Sequence, residues 1–143
     1  MPSERAAAES SSNSPASVTW PRSNALILVI DDDPQVAHVT RFILHRSGIH
    51  ALTATSPEEG FHLAMTMHPG VILCDAALPR INGCPLLRLL KQTDETATIP
   101  VILMGSHEGL DCEGIFTFLR KPFDVATLVG ATQNALRQRR LAA

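Results

Sequence analysis

Three apolar runs in this chain each stop at charged residues. Leu26-Ile27-Leu28-Val29-Ile30 runs into Asp31-Asp32-Asp33, Val71-Ile72-Leu73-Cys74 runs into Asp75, and Ile115-Phe116-Thr117-Phe118-Leu119 runs through Arg120 into Lys121-Pro122. If the runs are buried parallel strands, their carboxyl ends share one sheet edge. Asp31, Asp32 and Asp75 then crowd together without a salt-bridge partner inside the sheet, and their repulsion is costly unless a cation sits among them. Hard oxygen ligands with open positions suit Mg²⁺, which keeps waters and takes only one or two carboxylates plus a phosphate oxygen. Lys121 adds a compact positive charge able to reach an anion at the same edge. A carboxylate nucleophile, a metal and a lysine form a kit for phosphoryl transfer. The competing reading, that acidic residues at strand ends merely cap the next helix, is preferred for Asp33. It loses for Asp32 and Asp75, whose partners occur in the right chain order, each at a strand end.

The elements that must position these residues follow from the apolar pattern. Residues 25–30, 49–54, 71–75, 101–104 and 115–119 read as strands, the first continuously apolar as expected of a strand covered on both faces. Asp33-Pro34 reads as N-cap and first helical position, Val36, Val39, Ile43 and Leu44 as the helix stripe, and Gly48 as its stop. Ser56-Pro57-Glu58-Glu59 is a capping box opening a helix that ends before Pro69-Gly70. A loop with Pro79, Asn82 and Gly83 leads to a Leu-rich helix bearing Leu86, Leu87, Leu89 and Leu90. Asp124 caps the last helix, with Val125, Leu128, Val129, Thr132 and Leu136 as its stripe. Strands alternating with helices predict an α/β fold, a doubly wound five-stranded parallel sheet, whose ligand site lies outside the carboxyl ends of the strands.

Composition sets the frame. The chain has 143 residues, enough for one domain and a tail, and its 45% hydrophobic content is enough to build a core. Residues 1–24, rich in Ser, Ala, Asn, Glu and Pro, read as a disordered leader in which Trp20 is the exception, and 25–140 as the domain. A net charge of −2 gives no whole-chain pull toward nucleic acid or an anionic membrane. The local cluster Arg137, Arg139, Arg140 reads as a solvated helix end. Cys74, Cys84 and Cys112 are odd in number and lack a CxxC spacing, which argues for a reducing compartment and against a zinc site. No apolar stretch approaches the ~20 residues of a membrane span, so a cytoplasmic protein is expected. Motifs for dinucleotide, NTPase and hydrolase sites are lacking.

Four segments, in order, carry a resemblance: Val29-Ile30-Asp31-Asp32-Asp33-Pro34; Leu73-Cys74-Asp75-Ala76-Ala77-Leu78-Pro79-Arg80-Ile81-Asn82-Gly83; Ile99-Pro100-Val101-Ile102-Leu103-Met104; and Phe118-Leu119-Arg120-Lys121-Pro122-Phe123-Asp124. Together they resemble the receiver domain of two-component response regulators, a flavodoxin-like fold. The resemblance implies that Asp75 accepts a phosphoryl group from a histidine kinase or a histidine phosphotransfer protein. It implies that Asp32 ligates Mg²⁺ directly, Asp31 through water, and Ala77 through its backbone carbonyl. Lys121 would pair with the phosphoryl group, Phe118 would rotate on activation or else be an ordinary core residue, and Pro122 would follow a cis peptide bond.

Two departures qualify the resemblance. The family usually places Thr or Ser where this chain has Gly105. Ser106, one residue on, has two readings: a substitute switch hydroxyl, or a cap for the next segment. Residues 106–114 are also few for the usual fourth helix, since an average helix takes ~11–12 residues, so that helix is expected to be shortened or missing. His107 reads as a solvated loop histidine rather than a group acting on the aspartyl phosphate. The expected function is a stand-alone receiver in a Mg²⁺-dependent phosphorelay, with an unidentified downstream protein and neither nucleic acid nor membrane as partner. It would catalyse only its own phosphorylation and dephosphorylation. The alternative is a pseudo-receiver, an interaction module that no longer switches. A phosphatase-like enzyme of similar topology is disfavoured, because Ala77 stands where its second aspartate belongs.

Overall fold

The computed structural model describes residues 25–78, 84–106 and 114–142. The expected leader with Trp20, the loop residues Pro79, Asn82 and Gly83, and His107 and Cys112 lie outside them. Along the described chain run β1 (Ile27–Ile30), α1 (Pro34–Arg46), β2 (Ala51–Ala54), α2 (Pro57–Met67), β3 (Val71–Asp75), α3 (Cys84–Gln92), β4 (Val101–Gly105), β5 (Thr117–Arg120) and α4 (Val125–Ala142). The strands form one parallel sheet in the order β2-β1-β3-β4-β5. The order reverses between β1 and β3, so the crevice for a ligand opens at the carboxyl ends of those two strands.

Apolar strands are explained by cover on both faces. Leu28, Ile30, Ile72 and Leu103 pack with Ala64 of α2 and Leu86, Leu87 and Leu90 of α3. Ile27, Val29, Leu73, Ile102 and Met104 pack on the other side with Ala37 and Leu44 of α1 and Leu128 and Ala135 of α4. Burying each large aliphatic side chain is worth about 1.5–3 kcal/mol.

The predicted caps are present. The Gln35 N–H donates to Asp33 Oδ1 at 3.0 Å, the Glu59 N–H to Ser56 Oγ at 3.1 Å, and the Thr127 N–H to Asp124 Oδ1 at 2.7 Å. The reciprocal bond of the capping box comes from the Thr55 N–H to Glu59 Oε1, one residue before the N-cap. Gly48 closes α1 at φ +80°, a left-handed conformation that glycine adopts without a Cβ penalty.

Several sequence expectations need correction. The first, second and fifth strands are shorter than 25–30, 49–54 and 115–119, and the fourth extends to Gly105. Val39 of α1 is exposed, not part of the buried stripe; the buried face is Ala37, Thr40 and Leu44. Thr40 tolerates burial because its hydroxyl donates to the Val36 carbonyl at 2.8 Å. Val125 is likewise exposed, since it sits in the first turn of α4, ahead of the point where Leu128 meets the sheet. Between β4 and β5 the described residues 106 and 114–116 are not helical. The described residues hold four helices, as expected of a fold with the usual fourth helix shortened or missing.

Candidate functional site

The charged stops do meet at one edge. Asp31 directly follows β1 and its N–H donates to the Ala54 carbonyl at 3.0 Å. Asp75 is the last residue of β3, paired with Met104 in register. The Lys121 N–H donates to the Gly105 carbonyl at 2.7 Å, so Lys121 continues the β4–β5 ladder before the cis Lys121–Pro122 bond.

Side chains converge accordingly. One carboxylate oxygen from each of Asp31, Asp32 and Asp75 lies within 4.8 Å of the others. Asp31 and Asp75 are buried and Asp32 is exposed, which gives the cluster a closed floor and an open mouth. Lys121 Nζ lies 3.5 Å from Asp31 Oδ2 and 3.7 Å from Asp75 Oδ1. This corrects the expectation that the carboxylates lack an ion-pair partner at the sheet: the lysine assigned to an incoming anion already bridges two of them. Burial, above all, pushes Asp31 above the ordinary carboxylate value, with the Asp75 charge adding to it. A backbone N–H from Asp33 and the Lys121 ammonium oppose that rise.

Two backbone groups orient the carboxylates, and sequence reading missed both. The Asp33 N–H donates to Asp31 Oδ1 at 3.0 Å and the Ala77 N–H to Asp75 Oδ1 at 3.2 Å. Each is an aspartate accepting from the residue two positions on, a turn habit of this side chain that the strand-to-loop junctions could have signalled. Asp33 therefore has two tasks, capping α1 with its side chain and steering Asp31 with its N–H.

The remaining predicted residues surround this centre. Gly105 is buried at the end of β4, and Ser106 follows it as an exposed residue. The Phe118 ring is half-buried against the core and lies beside Gly105. Cys74, one residue before Asp75, is buried with its thiol pushed up to about 12, first by burial and then by the carboxylates of Asp75 and Asp31. It behaves as a small core residue. No helix among the described residues is long and apolar enough to cross a membrane.

Comparison with known proteins agrees with the geometry. The family model of the response regulator receiver domain matches residues 27–133. A curated relative, the DNA-binding dual master transcriptional regulator RpaA of Synechocystis sp., is 30% identical over 119 residues, covering 78% of this chain and 49% of its own length. The C4-dicarboxylate transport transcriptional regulatory protein DctD of Pseudomonas aeruginosa is 33% identical over 121 residues, covering 80% of this chain and 26% of its own. This chain thus spans about half or less of the curated relatives it matches. Among solved structures, a response regulator receiver domain protein from Clostridium thermocellum superposes with TM-score 0.76 and 33% identity over 83% of this chain and 99% of that one. A sheet order of β2-β1-β3-β4-β5, an acidic cluster at its switch point and these matches lead to one conclusion: the chain belongs to the response regulator receiver domain family of two-component systems.

Proposed function

We propose that the domain, taken as residues 25–140, accepts a phosphoryl group on Asp75 from a phosphohistidine of a histidine kinase or phosphotransfer protein, with Mg²⁺ required. The bond from phosphorus to the donor nitrogen breaks and a bond to an Asp75 carboxylate oxygen forms. The observation that carries this reading is the cluster of Asp31, Asp32 and Asp75 oxygens within 4.8 Å of one another at the sheet's carboxyl edge. An all-oxygen donor set with an exposed member fits a hard cation that keeps waters. Asp31, Asp32, Asp75 and the Ala77 carbonyl would hold it. When bound, Mg²⁺ supplies positive charge against the oxygens of the transferring group.

The chain's own groups do the rest. The Ala77 N–H fixes the Asp75 carboxylate and leaves its second oxygen to react. Lys121, already 3.7 Å from Asp75, neutralises the new anion. Gly105 offers no hydroxyl there, and Ser106 is the nearest hydroxyl along the chain. Loss of the conformational response in Ser106→Ala, with phosphorylation retained, would support its role, and an unchanged response would remove it.

The reading places the protein in the cytoplasm as a stand-alone receiver acting on a separate downstream protein, with no nucleic-acid or membrane contact of its own and no catalysis beyond its own phosphorylation and dephosphorylation. Detecting the native gene product at the size of this chain would support the stand-alone part; a longer product would overturn it. For the chemistry, the protein is incubated with Mg²⁺ and acetyl phosphate and weighed intact. A gain of one phosphoryl group, absent in Asp75→Asn, is expected. No gain at any donor level would instead leave a pseudo-receiver that acts by contact alone, the reading that the bare Gly105 favours.

A further inference from the structure

Gly105 is more than a missing hydroxyl. A Cβ placed on it would lie 3.3 Å from Phe118 Cζ, 3.5 Å from Phe118 Cε1 and 3.3 Å from the Ala76 Cβ. A Cβ there would therefore press on the Phe118 ring on one side and on the residue after Asp75 on the other. Gly105 is buried at the end of β4 and paired with Arg120. Leu103 of β4 pairs with Phe118 itself, so the ring approaches Gly105 along its own neighbouring strand. Ala76 is held too, its N–H donating to the Met104 carbonyl at 2.8 Å. With β4 and Ala76 both tied by ladder hydrogen bonds, the Phe118 ring is the neighbour that must give, by a few tenths of an ångström, when a Cβ is added at position 105.

We infer that Gly105 is a positioning residue that seats the Phe118 ring inward, and that this seat holds whether or not Asp75 carries a phosphoryl group. The second half rests on the proposed phosphoacceptor reading. Three observations support it. The ring packs against the buried cluster formed by β1, β2, β3, β4, α2 and α3. It lies directly beside a residue that has no side chain to push against it. At position 105 no side chain exists to grip a phosphoryl oxygen and pull on the ring's surroundings. A signal from Asp75 then leaves by some route other than rotation of Phe118.

The full chain can be labelled with fluorophenylalanine, since it contains only five phenylalanines, and Phe118→Leu identifies the resonance of interest. Exposure of that ring is read as line broadening by a soluble gadolinium chelate. The spectrum is taken before and after Mg²⁺ with beryllofluoride, a phosphoryl mimic whose bound form has its own fluorine signal. In the wild type, the broadening at Phe118 should stay the same when the mimic binds. In Gly105→Thr, the ring should be displaced and its broadening should rise above the wild-type value without any mimic, with Gly105→Ala giving a smaller rise. A wild-type ring that becomes clearly more or less exposed when the mimic binds overturns the inference. So does a Gly105→Thr spectrum in which Phe118 is unchanged. Absence of a bound-mimic signal would count against the phosphoacceptor site, while the glycine variants still decide the seat. Far-ultraviolet circular dichroism of each variant separates displacement of the ring from loss of the fold.

Discussion

Lys121 reaches across from the end of β5 to place its ammonium 3.7 Å from the Asp75 carboxylate at the end of β3. The strand between them, β4, carries Gly105 at its end, whose carbonyl anchors the Lys121 backbone. The same ammonium is 3.5 Å from Asp31, so one cation serves two buried anions. Among the described residues, three carboxylates and one lysine leave the pocket short of positive charge. That imbalance makes a divalent cation favourable here, and it is present before any phosphoryl group arrives.

Lys121→Met tests the imbalance directly. Without metal, the variant leaves Asp31 and Asp75 facing each other without the Lys121 charge between them. Partial exposure of Lys121 discounts the loss, which should be about 1–2 kcal/mol. Urea denaturation in a chelator measures it. The gap to wild type should narrow when Mg²⁺ is added, because the cation replaces part of the missing charge. Equal midpoints for the two proteins in chelator would refute the account.

Mg²⁺ itself should stabilise the wild type. A ligand that binds only the folded state at ten times its dissociation constant adds about 1.4 kcal/mol, a rise in Tm of a few degrees. Asp32→Ala is the clean control. Asp32 is exposed, so its removal should cost within about 0.5 kcal/mol in chelator. The Mg²⁺-dependent shift should shrink or vanish in that variant. A full shift in Asp32→Ala would mean the metal binds without it.

Much of this arrangement was legible in the sequence, for a physical reason. A strand covered on both faces is apolar throughout, so a charged residue ending it marks the sheet edge, and Asp31, Asp75 and Lys121 were found that way. The helices were harder to orient. Val39 and Phe42 of α1 are apolar yet exposed, while Thr40 is polar yet buried with its hydroxyl bonded inside its own helix. Periodicity counts side-chain polarity and cannot see that local satisfaction. The Lys121 bridge and the Phe118–Gly105 contact join residues far apart in sequence. They depend on rotamers and register, which no single-strand pattern encodes. The steering N–H groups of Asp33 and Ala77 lay between these cases: short-range, but easily passed over because any residue type supplies them.

Acid should loosen the β2 edge through His45. The Ala51 N–H donates to His45 Nε2 at 3.0 Å, while Arg41 Nε donates to the Ala51 carbonyl at 2.9 Å. Burial first, then the nearby Arg41 charge, lowers the His45 pKa from its usual 6.5, with His50 adding slightly in the same direction. The unfolded chain therefore takes up this proton at higher pH than the folded one. Stability from this group is complete above about pH 6.5 and declines as pH falls from there through the lower folded-state value. His45→Gln should show a smaller loss of stability between pH 7 and pH 5 than wild type, measured by urea midpoints. An identical loss in the two proteins would assign the acid sensitivity to other groups.

Gly60 sets two opposing effects against each other. It lies in α2, where replacing glycine by alanine ordinarily gains about 1 kcal/mol of helix propensity. Here a Cβ would meet Ile30 Cδ1 at 2.6 Å, Cγ1 at 3.0 Å and Cγ2 at 3.1 Å. Ile30 is fully buried in β1, so its branched side chain cannot swing into open space, and overpacking of this kind costs about 1–3 kcal/mol. Steric cost should win, leaving Gly60→Ala less stable than wild type by about 1 kcal/mol. Because Ile30 directly precedes Asp31, the displaced strand end should also weaken Mg²⁺ binding. A double variant, Gly60→Ala with Ile30→Val, should recover much of the stability by removing the Cδ1 methyl. A stabilised single variant, or a double variant no better than the sum of its parts, would show that α2 shifts to make room and that the contact does not set the helix-to-sheet distance.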